Sequence, residues 1–233
     1  MKFSIKKTML VGLSGLLLVL VGCATPPSRP AFSPDLMKGN RQIAIILPTA
    51  DLDLDGYGIR QTEVAALPQE VVPSYINGMV KTHSDEFTKL VLAMDGYEDL
   101  YKLFVVQLVQ RLSAGGYDVF EGSHAYLSRE FKPATTKHDG REWVFYLEGM
   151  RIQYFADTLI SNYIPRTGLW LIPYNSKTDT LYQPILIDKK SIDKRYQWMS
   201  AEGVKKDVST SFTGMKANTI DASLSAFQVI SGQ

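Results

Sequence analysis

The chain has 233 residues, of which 45% are hydrophobic, 21% charged and 11% aromatic. That length and balance build a globular core without staples and exclude a disordered tail or a fibrous repeat. Lys and Arg number 25 against 24 Asp and Glu, so charge gives no ground for a nucleic-acid partner; the single cysteine excludes an internal disulfide and a multi-cysteine zinc site.

Lys2, Lys6 and Lys7 stand before an uncharged run from Met9 to Val21, rich in Leu and Val. The run is too short to span a bilayer core, for which a helix needs roughly 20 apolar residues, and it ends in small residues, as a cleaved export signal does. Residues 1–22 are therefore expected to lie outside the fold. Their loss removes three lysines and leaves the remaining chain with two more acidic than basic residues.

The run closes on Leu20-Val21-Gly22-Cys23, which resembles the lipobox of bacterial lipoproteins. The resemblance implies cleavage before Cys23, a thioether-linked diacylglycerol on its sulfur and an acyl chain on the new amino terminus. The alternative is a signal-peptide cysteine in an ordinary secreted protein. Two or more acyl chains make anchoring stable, at about 0.8 kcal/mol per buried CH₂. In that family an aspartate directly after the cysteine favours retention in the inner membrane; with Ala24 in that place the resemblance implies the outer membrane, facing the periplasm. Residues 24–34 hold four prolines, Pro26, Pro27, Pro30 and Pro34. Proline favours extended polyproline II at about 3.1 Å per residue, so residues 24–34 make a semi-rigid spacer of about 30 Å within a lipidated, Pro-rich tether over residues 23–40. A Pro-rich ligand for a partner groove is the other use of such a stretch.

Residues 41–233 read as one periplasmic domain. The apolar run Gln42–Pro48 is consistent with a strand buried on both faces. Residues 49–80 are loop-rich, and Thr82-His-Ser-Asp85 has the form of a helix start ahead of Phe87, Leu90, Val91 and Met94. Between Tyr97 and Ala114 apolar side chains recur at helical spacing, and Gly115-Gly116 ends the helix. Tyr117–Glu121 follows as a strand, so the first strand, the helices and this strand form a βαβ-like unit with parallel pairing. Beyond Glu142, Trp143, Phe145 and Leu147 alternate, and after Gly149 the apolar set moves to Met150, Ile152 and Tyr154, a phase change that predicts a bulge. Residues 168–174 and 180–187 read as an antiparallel hairpin, with Pro173 and Pro184 at edges or strand ends. Ile220, Leu224 and Phe227 predict a C-terminal amphipathic helix packed on the sheet. The fold class is α+β: a mixed sheet with a few helices, its βαβ-like amino-terminal half followed by an antiparallel meander and a C-terminal helix. Residues 40–122, with the strand ending in Leu-Pro, the long helix and the Gly-Gly-Tyr turn, resemble the domain shared by the amino-terminal region of TolB and several transport-auxiliary lipoproteins.

Asp51-Leu-Asp-Leu-Asp-Gly56 matches the first half of a calcium loop, making Asp51, Asp53 and Asp55 candidate ligands. The second half fails, because the twelfth position is Thr62 instead of a bidentate Glu; the other reading is a solvated acidic loop with Leu52 and Leu54 packed down. Apart from the lipid on Cys23 and this possible calcium, no cofactor is expected. His83, His124 and His138 form no metal-ligand pair, and nucleophile elbow, His-Glu-x-x-His, P-loop and dinucleotide motifs are absent from the sequence, so no enzymatic activity is expected. The aromatic residues of the β region divide among core, protein interface and glycan stacking, with Tyr154, Trp170, Tyr174, Tyr182 and Trp198 the interface candidates. The expected function is a lipid-anchored subunit or assembly factor of an envelope machine for secretion, transport or motility. Its partners would be the outer membrane through the acyl chains, and other envelope proteins or further copies of itself. The alternative is a periplasmic lipid- or peptidoglycan-binding module.

Overall fold

The computed structural model describes residues 28–48, 57–61, 74–124, 138–157 and 161–233. Its elements run β1 (Gln42–Pro48), β2 (Gly58–Gln61), α1 (Ser74–Leu92), α2 (Leu100–Ala114), β3 (Asp118–His124), β4 (Trp143–Ala156), β5 (Ile164–Asn175), β6 (Thr180–Leu181), β7 (Ile185–Lys190), α3 (Ala201–Lys206) and α4 (Val208–Ser231), with short 3₁₀ turns at Pro34–Met37 and Lys194–Tyr196. Residues 31–233 form one unit, and the α+β architecture follows the expected order.

β1 lies between parallel neighbours, β3 on one side and β4 on the other. Its continuous apolar run is explained by burial on both faces: Ile43 and Ile45 join the cluster under the helices, while Ala44 and Ile46 join Val144, Tyr146 and Tyr174 on the opposite face. β4 is the spine. One of its edges pairs along its length with antiparallel β5, and the other takes β1 on its first half and β2, also parallel, on its second.

The expected bulge is present. The β4–β5 register shifts between Glu148 and Arg151, so that Gly149 and Met150 together oppose Leu169. Gly149 has φ of +59°, a left-handed conformation that glycine adopts without a Cβ penalty. The extra residue reverses the phase. Trp143, Phe145 and Leu147 face the helices before it, and Ile152 and Tyr154 face them after it, where the two clusters meet under α2 and α4.

The hairpin of β5 with β6 and β7 is interrupted at Pro184, as expected. Pro173, however, lies within β5, opposite Phe145. Its carbonyl accepts the Tyr182 N–H at 3.0 Å, and the reciprocal bond that a non-proline N–H would return to Tyr182 is absent, at the place where the partner strand is broken between β6 and β7.

Three expectations need correction. The helix before Met94 starts at Ser74 instead of Thr82, so Thr82-His-Ser-Asp85 falls inside it; there the Ser84 hydroxyl accepts the Ile59 N–H at 3.0 Å and donates to the Ile59 carbonyl at 3.2 Å, tying α1 to β2. The loop-rich stretch also contains β2, whose four residues are too few to show periodicity. Finally, α4 packs with a broader face than the expected one, of which Ile220 and Phe227 are half-buried against the core clusters. Leu224 is exposed, and the buried side chains are Ser211, Gly214, Asn218, Thr219, Ala222, Ser223 and Ala226 with Phe212, Met215 and Ile230. Small residues let the helix approach closely; a Cβ on Gly214 would stand 2.7 Å from the Tyr196 side chain and 3.0 Å from the Tyr154 hydroxyl. The hydroxyls of that face find partners: Ser211 donates to the Val204 carbonyl at 2.9 Å, Ser223 to the Ile220 carbonyl at 2.7 Å, and the hydroxyls of Thr167 and Thr219 pair at 3.4 Å, whereas the buried Asn218 Oδ1 meets no donor among the described residues.

Candidate functional site

Cys23, Asp51, Asp53 and Asp55 lie outside the described residues. Among the described residues, no group of three or more His, Cys, Asp and Glu is placed to hold a metal ion, and no helix is long and apolar enough to cross a membrane.

The five aromatic candidates separate. Tyr154, Tyr174 and Tyr182 are buried and offer no contact surface. Tyr154 follows from the bulge, which turns it inward: it stacks edge-on against Phe87 and donates to the Ser211 carbonyl at 3.1 Å, and burial raises its phenol pKa well above the ordinary tyrosine range. Tyr174 belongs to the opposite-face cluster with Tyr146 and donates to the Asp179 carboxylate at 2.8 Å; burial, reinforced by that bond, pushes its pKa up to about 12. Tyr182 packs on Trp143 and Phe32. Trp198 is half-buried, its backbone paired with Tyr163 at 2.7 and 3.0 Å. Trp170 alone of the five is open, at 44% exposed, beside its cross-strand neighbour Leu186 at 51%.

The residues with most surface to offer lie at the end of the sheet where β5 begins. α1 and α3 enclose an open groove of about 850 Å³, in which Leu90 and Ala93 supply apolar surface and Glu86, Lys89, Glu202, Lys205 and Lys206 supply charge. Lys205 bridges the helices, bonding to Glu86 on α1 and, at 2.8 Å, to Glu202 in its own helix. Burial works against its charge, yet the two carboxylates outweigh it and raise its pKa, while the bond from Lys205 holds Glu86 below the ordinary carboxylate range. His83 Nδ1 adds a further contact, 3.5 Å from Glu202. Ser200 is committed to capping α3, accepting the Gly203 N–H at 3.1 Å. The groove is thus an apolar trough in which Lys205 is paired with Glu86 and Glu202.

Next to it runs the loop from β7 to α3, which carries Ile192 and Met199, 93% and 90% exposed. Sequence reasoning passed over both, since neither belongs to a periodic pattern. The available signal was composition: a lone large aliphatic residue within Lys189-Lys-Ser-Ile-Asp-Lys-Arg195.

No family model matches the chain, and no curated protein sequence matches it. Among solved structures, a minor lipoprotein from Acinetobacter baumannii aligns over 82% of this chain and 91% of its own at 9% identity, with a TM-score of 0.40. A protein from Xanthomonas campestris assigned to family model DUF330 aligns over 89% of this chain and 90% of its own at 10% identity, also with a TM-score of 0.40. Likenesses of that size assign neither a family nor a function.

Proposed function

We propose that the chain is a bacterial lipoprotein, held by acyl groups on Cys23 to the periplasmic face of the outer membrane, and that its folded domain serves as a subunit or assembly factor of an envelope protein complex. The observation that carries the reading is Cys23 directly after Leu20-Val21-Gly22, at the end of a lysine-led apolar run too short to span a membrane. The proline-rich stretch that follows, with Ala24 and not an acid after the cysteine, supports a tethered domain away from the inner membrane. Exposed Trp170 and Leu186 on the sheet, and the trough between α1 and α3, supply surfaces for protein contact.

The test is fractionation of bacteria expressing the intact chain or Cys23→Ala, followed by extraction in mild detergent and sizing. The intact chain should enter the outer-membrane fraction and elute within a larger complex, and Cys23→Ala should leave that fraction. An intact chain that remains in the soluble fraction refutes the anchor. One that elutes as a monomer under several gentle conditions refutes the subunit role.

A further inference from the structure

Ile192 and Met199 are held out in a fixed place. Ser191, before Ile192, donates its N–H to the Pro165 carbonyl at 2.9 Å, and Trp198, before Met199, pairs its backbone with Tyr163. The two anchoring positions are two residues apart at the start of β5, so two almost fully exposed aliphatic side chains project from one edge of the domain. Single exposed apolar residues are ordinary, but two at 90% or more in one short loop leave nearly their whole transfer free energy unused.

The charges around them have one sign in excess. Residues 188–200 carry Lys189, Lys190, Lys194 and Arg195 against Asp188 and Asp193. Asp188 is engaged bidentately by Arg166 at 2.7 and 2.8 Å, Asp193 by Arg195, and Lys190 by Asp157 at 2.9 Å. Among the described residues, Lys189 and Lys194 form no ion pair. Fully exposed aliphatic residues beside uncompensated lysines match the chemistry of a lipid–water interface, where apolar side chains enter the acyl boundary and cations meet anionic headgroups.

We propose that the loop from Lys189 to Met199 is a second, reversible membrane contact that takes an anionic phospholipid surface. The inference rests on the lipoprotein reading for its reach: a chain anchored at Cys23 and entering the domain near residue 31 keeps the bilayer within about 25 Å of the domain, so even a weak contact is populated. Phe32 packs on Trp143, Phe145 and Tyr182, at the far end of β4 and β5 from the loop. Loop and tether together would therefore lay the domain along the membrane.

The test uses the acylated chain carrying Ile192→Cys, Met199→Cys or, on the distant edge strand β3, Ser123→Cys. Each is labelled with an environment-sensitive dye and reconstituted in vesicles of phosphatidylcholine alone or with phosphatidylglycerol. Labels at 192 and 199 should brighten about twofold or more and shift to the blue with phosphatidylglycerol, the label at 123 should not change, and Lys189→Glu with Lys194→Glu should abolish the response. Labels at 192 and 199 that stay in water, respond no more than the one at 123, or respond only when a second protein is added overturn the proposal. Intact mass reports acylation of Cys23 independently. If Cys23 is bare, it is replaced by serine, the vesicles are added to the protein in solution, and the dye reads the same contact.

Discussion

Gly214→Ala is the sharpest probe of how α4 meets the sheet. In a free helix the change would stabilise by about 1 kcal/mol through propensity. Here the added methyl would stand 2.7 Å from both Cβ and Cγ of Tyr196 and 3.0 Å from the Tyr154 hydroxyl. Cβ and Cγ are the stiff root of the tyrosine, so relief requires α4 or the Lys194–Tyr196 turn to move. Overpacking of this kind costs about 1–3 kcal/mol. Displacing the Tyr154 hydroxyl from the Ser211 carbonyl, now 3.1 Å away, adds about 1 kcal/mol. The net expectation is a loss of about 1–3 kcal/mol, which for a domain of this size lowers Tm by about 2–12 °C. Thermal unfolding followed by far-ultraviolet circular dichroism measures it. Gly203→Ala in α3 is the internal control: its Cβ would meet Trp198 at 3.4 Å, an ordinary contact, and the variant should match or exceed the parent. Gly214→Ala at or above the parent Tm would refute the close approach of α4.

Three further outcomes follow from particular contacts. Gly149→Ala should cost about 1–2 kcal/mol from its left-handed backbone alone, since its Cβ would meet Trp170 at an ordinary 3.7 Å, and urea unfolding checks this. The hydrogen bonds from Arg166 hold the Asp188 pKa below the ordinary value; a lowered carboxylate stabilises the fold above its unfolded pKa of about 3.9 and loses that contribution as pH falls through the folded one. Asp188→Asn should therefore be less stable than the parent by about 1 kcal/mol at neutral pH, with the gap closing below about pH 4, as denaturation at a series of pH values would show. Ser84→Ala should release both bonds to Ile59 and cost about 1–2 kcal/mol, with amide exchange rising in β2 ahead of the rest of the sheet.

Much of the fold could be read from residue order because the strongest signals were periodic. The break in alternation at Gly149 located the bulge, and helical spacing ending at Gly115-Gly116 located the end of α2, where the Gly115 N–H returns to the Arg111 carbonyl. Those same signals already placed Tyr154 inside, in phase with Ile152; counting aromatic residues drew it to the surface. What failed was non-local. Thr82-His-Ser-Asp85 has the form of a helix start yet lies inside α1, where Ser84 serves Ile59, a partner 25 residues away. α4 turns toward the sheet a face of serines, threonines and alanines, invisible to a hydrophobicity count because its value lies in small volume. Ile192 and Met199 carry no periodicity, and only the paired edge of β5 shows that they point outward together.

The central claim is the anchor, and the mass of the amino-terminal peptide of the protein purified from bacterial membranes tests it most directly. The account predicts a peptide that begins at Cys23 and carries a diacylglyceryl group with an additional amide-linked acyl chain. A peptide that retains residues 1–22, or begins elsewhere with Cys23 as a free thiol, would contradict it.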